Sequence, residues 1–244
     1  MSKDLSILEP ARHGLSLLIR FHDREADRDF LNGLRENDTA GVFAEILPDV
    51  AAKPDVEALG TAISALPDPL DERTLDELAA EYADVYLTHS YRLAPTGSVW
   101  LTEESLERQE PMFAVREWYE HYGVTVPNWR VRSDDHIVHE LQFVEHLLKL
   151  GTDSATKDAA RFLDHHVLVW VPQFCALMAE RCSQPLLGVG AKLTALYLEA
   201  LRDLLQDLTG EERWVPTEDE KVAPYTLSEL AEDIAYVPGV AESW

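Results

Sequence analysis

Apolar side chains return every three to four residues from about residue 10 to residue 209, and runs of alternating, β-branched residues are scarce. A chain patterned this way buries its apolar surface by packing helix on helix, so the period predicts an all-α protein. The stretch SDDHIVHELQFVEHLLK, residues 133–149, shows the pattern clearly. On a helical wheel Ile137, Leu141, Val144 and Leu148 form the centre of an apolar stripe that Phe143 and Leu147 widen. His139, Gln142, Glu145, His146 and Lys149 fall on the opposite face, expected to be solvated and to carry a Glu145–Lys149 pair. Ser133, Asp134 and Asp135 stand where an N-cap and first-turn acids belong, and Gly151 reads as the C-cap. His136 and Glu140 lie one turn apart on the flank of the stripe; a carboxylate there needs a partner, with His136 or an arginine as the first candidates.

The same period predicts helices over 10–21, 24–36, 39–47, 54–66, 72–88, 111–122, 134–150, 155–181 with a break, and 185–209. The expectation is a single-domain bundle of about ten helices over 1–209, followed by an acidic, proline-containing arm over 210–244 in which only 226–234 reads as helix. The segment HSYRLAPTGSVWLTEES, residues 89–105, is the longest irregular stretch inside the helical body, and loops of that length more often carry function than not.

The chain has 45 acidic against 21 basic residues, a formal net charge of -24. Nucleic acid and anionic lipid reward the opposite sign, so neither is an expected partner, and cationic partners are favoured. No apolar run approaches the roughly 20 residues of a bilayer span, and MSKDLSILEPARHG has no secretory h-region, so the expected compartment is the cytoplasm. Cys175 and Cys182 are seven apart in one predicted helix, too far to pair, and read as buried thiols.

Three histidines and four carboxylates in seventeen residues raise the question of a metal. His136-Ile-Val-His139-Glu140 is neither the HExxH of a zinc protease nor the ExxH of a di-iron bundle, so no metal, cofactor or catalytic residue is expected. The alternative is a metal-dependent all-α hydrolase drawing ligands from His22, Asp23, His136, His139 and Asp164. No nucleophile elbow, P-loop or dinucleotide fingerprint occurs.

Four pieces in order carry a resemblance: Glu81-Tyr82 to Val85-Tyr86; Pro95-Thr-Gly-Ser98-Val-Trp100; Tyr119 and Gly123; and Asp134-Asp135-His136 through Glu140-Leu141-Gln142-Phe143. His166, Trp170, Pro172 and Phe174 follow at the expected spacing. Over roughly 10–208 the chain resembles the TorD/DmsD family of redox-enzyme maturation chaperones. Asp134 stands where the family commonly has proline, Tyr86 where phenylalanine is usual, and Arg132 where some members carry an acid. The resemblance implies an all-helical cytoplasmic protein, monomer or homodimer. It further implies binding of the twin-arginine signal peptide, or of the apo-catalytic subunit, of a molybdopterin oxidoreductase of the dimethyl sulfoxide reductase class, held from export until its cofactor is inserted. The peptide-binding set it implies is Tyr82, Tyr86, Ser98, Trp100, Asp135, His136 and Glu140: Asp135 first for contacting a cation, Trp100 and Tyr86 for apolar packing, and His136 to orient Asp135 or Glu140.

Overall fold

In the computed structural model the described residues are 8–47, 49 and 51–215. They form eleven α-helices: α1 Leu8–Asp23, α2 Arg28–Glu36, α3 Thr39–Ile46, α4 Lys53–Ala65, α5 Glu72–Tyr86, α6 Gly97–Leu101, α7 Glu110–His121, α8 Ile137–Leu150, α9 Asp153–Phe162, α10 Val171–Arg181 and α11 Pro185–Thr209. A π-helical turn, Leu163–Val167, joins α9 toward α10, and no strand occurs among the described residues. The helical segment expected over 226–234 lies outside them.

Local chemistry sets several helix starts. The side chains of Asp27, Asp71 and Thr152 accept from the backbone N–H three residues on, at α2, α5 and α9, where the first turn has no helical partners for its donors. Gly151 and Gly210 end α8 and α11 at φ +62° and +72°, a conformation glycine adopts without steric cost.

The long α11 is the axis: it packs on α10, α4, α9 and α1, while α8 packs on α1 and α9. Their facing sides bury Leu15, Leu18, Leu59, Val144, Phe162, Phe174, Leu198 and Leu205 completely. At roughly 1.5–3 kcal/mol for each fully buried aliphatic or aromatic side chain, this shared core dominates the favourable side of folding. Arg202 and Asp164 are buried with it, paired at 2.7 and 2.8 Å. No single described helix is long and apolar enough to cross a membrane; the bent pair Asp153–Val167 and Val171–Arg181, at 56°, passes by length and composition only.

Several details differ from the sequence reading. The helix expected from 134 starts at Ile137, with His136 as its N-cap: the His136 Nδ1 accepts from the Val138 N–H at 3.1 Å. Ser133, Asp134 and Asp135 are left in a tight turn before it, where tertiary partners claim them. On the supposedly solvated face of α8, His139, Glu145 and His146 are half-buried. Glu145 accepts from the Ser16 hydroxyl of α1 instead of pairing with Lys149, because α1 crosses that face. The segment 89–105 is not wholly irregular, since α6 occupies part of it.

Candidate functional site

The loop before α6 and the turn before α8 are stitched together backbone to backbone. Thr96 and His136 form an isolated antiparallel bridge, Gly97 N–H donates to Asp135 O at 2.9 Å, and Ile137 N–H donates to Pro95 O at 2.9 Å. Asp135 clamps the junction from inside: its carboxylate accepts from Ser98 N–H at 2.6 Å, from the Ser98 hydroxyl at 2.5 Å, and from the Ser133 hydroxyl. Both residues are 0% exposed, so the carboxylate expected to meet a client cation points into the protein with its oxygens occupied.

Glu140 lies behind the same wall. Its partner is neither His136 nor an arginine but the Trp170 indole N–H, at 3.1 Å. Burial, and secondarily the neighbouring Asp135 carboxylate, raise its pKa well above the ordinary carboxylate range, which favours the neutral acid. Gly97 lets the loop pass close above it: a Cβ there would stand 3.1 Å from the Trp170 indole nitrogen, a tighter contact than most side chains make. Trp170 in turn stacks on Trp100, with ring centroids 6.5 Å apart and planes at 24°, and both pack on Phe174. Tyr119 donates to Asp134 O at 3.0 Å, and Asp134 is held by Arg116 at 2.8 Å.

In front of this wall lies a cavity of about 290 Å³ lined by Tyr82, Tyr86, His89, Glu107, Arg132 and His136, with Leu87 and Val131 on its rim. A second cavity of about 390 Å³ shares His89 and Glu107 with it and takes in Trp100, Leu93 and Leu106. The two together make a groove with an aromatic floor. Tyr82 and Tyr86 stack at 4.6 Å between centroids. Behind Tyr86 sits His22: its Nε2 meets Thr194 at 2.9 Å, and since Thr194 gives its own proton to Gly190 O, Nε2 is the donor. The His22 Nδ1 is then left to accept from the Tyr86 hydroxyl at 2.5 Å. Burial lowers His22 to about 4, and lowers His136 well below the usual range, so both imidazoles are neutral at pH 7.

The rim presents apolar side chains to water. Leu87, Leu106 and Val131 are 67%, 57% and 80% exposed. His89, Arg92, Ser105 and Arg108, all lining these cavities, adopt positive φ between 51° and 62°. Left-handed non-glycine residues are uncommon, and such strain concentrates at binding sites.

Of the seven residues expected at the site, Tyr82, Tyr86 and His136 line the first cavity and Trp100 the second, while Ser98, Asp135 and Glu140 stand behind them. His89, Glu107, Arg108 and Val131 were not singled out from the sequence; their position depends on loop geometry, and Glu107 and Arg108 lie in an unremarkable charge run. Glu81, quoted for its motif, caps α11 instead: it accepts from Ser183 N–H and Gln184 N–H at 2.5 and 2.8 Å. The five residues of the metal alternative have separate partners, and among the described residues no group of three or more potential ligands could hold a metal ion. Asp23 pairs with Arg132, Asp164 with Arg202, and His139 Nδ1 meets Ser133 O at 2.8 Å.

The family model described as nitrate reductase delta subunit matches residues 52–176, just over half of the chain, from the start of α4 into α10. The chain belongs to the TorD family of molybdoenzyme chaperones. Among its relatives in this family, the Chaperone protein TorD of Vibrio cholerae is 27% identical over 207 residues, which cover 80% of this chain and 85% of the relative. That of Aliivibrio fischeri is 26% identical over 144 residues, 55% of this chain and 66% of the relative. That of Actinobacillus succinogenes is 29% identical over 101 residues, 41% and 50%. The matched region contains the whole wall and floor of the groove, from Tyr82 to Phe174.

Proposed function

We propose that the chain is a cytoplasmic maturation chaperone that holds the twin-arginine signal peptide, and through it the apo-catalytic subunit, of a molybdopterin oxidoreductase of the dimethyl sulfoxide reductase class, delaying export until the cofactor is inserted. The groove beneath the family's motifs carries this reading, with an aromatic floor and three exposed aliphatic side chains on its rim. A leader's apolar segment would cover Leu87, Leu106 and Val131 and pack on Tyr82, Tyr86 and Trp100, burying surface that now faces water.

In this reading the motif residues divide their work. Tyr82, Tyr86, Trp100 and His136 contact the peptide. Ser98, Asp135 and Glu140 hold those residues in place through the bonds described above, acting as positioning residues. Calorimetric titration of a synthetic twin-arginine leader tests the proposal. Binding is expected with the intact protein and about tenfold weaker binding with Leu87→Ser/Val131→Ser, from lost apolar burial. Absence of binding by the folded protein overturns it.

A further inference from the structure

The groove of this strongly acidic chain is lined by its own cations, and the tightest of them sits on a carboxylate. Arg132 donates through Nη1 to Asp23 Oδ1 at 2.6 Å and through Nη2 to the Asp23 main-chain O at 2.7 Å. Arg24 approaches the other oxygen of the same carboxylate, Nη1 to Oδ2 at 3.4 Å. Asp23, at the end of α1, therefore holds two guanidinium groups. Tyr82, on the cavity floor, donates to the Asp23 main-chain O at 2.8 Å, which ties this cluster to the Tyr82 end of the groove. Asp23 stands just behind the lining residues Arg132 and Tyr82, and the carboxylate on the lining itself, Glu107, is held loosely, 3.9 Å from His89 and 4.0 Å from Arg108.

We propose that Arg132 is a stand-in for a client arginine: it occupies on Asp23 the place that one guanidinium of a twin-arginine leader takes, and so sets a threshold for which leaders the groove admits. This rests on the function proposed above and specifies the arginine subsite within it. A fork from Arg to carboxylate and carbonyl is replaced with the same geometry only by another guanidinium, since an ammonium offers a point charge without the paired donors. The Arg132 and Asp23 side chains are 29% and 27% exposed, so an incoming chain reaches them without opening the core. Displacement also needs help. Arg132 competes from within the same molecule, at a local concentration no free arginine matches, so only a leader whose apolar segment is already seated beside Val131 and Leu87 brings its arginine close enough to exchange. The neighbouring Val131 would move with Arg132, coupling the apolar contact to the exchange.

The experiment is a calorimetric titration of a twin-arginine leader and of its twin-lysine counterpart against the full chain and its Arg132→Gln, Asp23→Asn and Arg130→Gln variants, each checked for folding by circular dichroism. Arg130 is an exposed neighbour that stacks on Trp129, and it controls for the general loss of positive charge. Freeing a carboxylate that is otherwise mostly occupied is expected to make Arg132→Gln bind the twin-arginine leader about fivefold tighter. The gain should shrink for twin-lysine, be absent in Arg130→Gln, and reverse to weaker binding in Asp23→Asn. If the leader binds but Arg132→Gln binds no tighter, or gains no more than Arg130→Gln, or gains equally for twin-lysine, or Asp23→Asn binds as well as the full chain, the stand-in is overturned while the function proposed above survives. If no variant binds either leader, both fall.

Discussion

Asp135 and Glu140, behind the groove, are 0% and 1% exposed, whereas the Asp23 and Glu107 side chains on its edge are 27% and 38% exposed. Behind the wall every carboxylate interaction is short, internal and shielded from water, or the pKa is raised toward the neutral acid, as in Glu140. On the edge the partners are arginines and a histidine whose side chains solvent reaches, the kind of pair worth only about 0–1 kcal/mol. The contrast separates stability from exchange. A buried carboxylate whose lone pairs are taken cannot be given to a client without leaving orphaned donors, while an exposed pair can change partners at little cost.

The largest effect should come from the wall. Asp135→Ala strands Ser98 N–H and two hydroxyls in a dry site and is expected to cost about 3 kcal/mol in urea denaturation. A variant of normal stability that has lost only leader binding would break the comparison.

Acid should act through the neutral imidazoles nearly as strongly. His22 has its folded pKa depressed to about 4 from 6.5, so the unfolded chain takes up the proton first, and stability falls as pH drops from 6.5 toward 4. That window carries roughly 3 kcal/mol, and His136, shifted the same way, adds to it. Unfolding followed at pH 7 and pH 5 checks the sign, and His22→Gln should flatten the slope.

Glu140 runs opposite. Its folded pKa is raised, so its contribution is present below the unfolded pKa and is lost as pH rises toward the folded value. Glu140→Gln keeps an acceptor for Trp170 and removes that loss, so Tm should rise by a few degrees, more at pH 8 than at pH 5. Leader affinity should stay unchanged. Smallest for stability is the rim: Leu87→Ser/Val131→Ser should shift unfolding by less than about 0.5 kcal/mol per site while weakening leader binding as predicted above. A large loss of stability there would erase the distinction.

The longer helices were legible, because the apolar period repeats over several turns and the cap at Gly151 is local chemistry, whereas the five-residue α6 was read as loop because it is too short to show a period. The start of α8 was misread since Ser133, Asp134 and Asp135 have the composition of a cap, yet Ser98, Arg116 and Tyr119 offer them stronger tertiary partners. Glu140 was marked from its wheel position as needing a partner, but Trp170, thirty residues on, has no sequence sign of being that partner.

By itself the sequence determined the helical class, the approximate positions of the long helices and the motif residues around which the groove is built, because periodicity, capping and motif order are all carried along the chain. Only the tertiary structure decided which carboxylates stay within reach of solvent and which face the core. Asp135 and Asp23 are both ordinary acids beside a histidine in the sequence. One is enclosed by the loop before α6 and the other left at the end of α1 against Arg132, and that difference in solvation sets whether a carboxylate can exchange its partner.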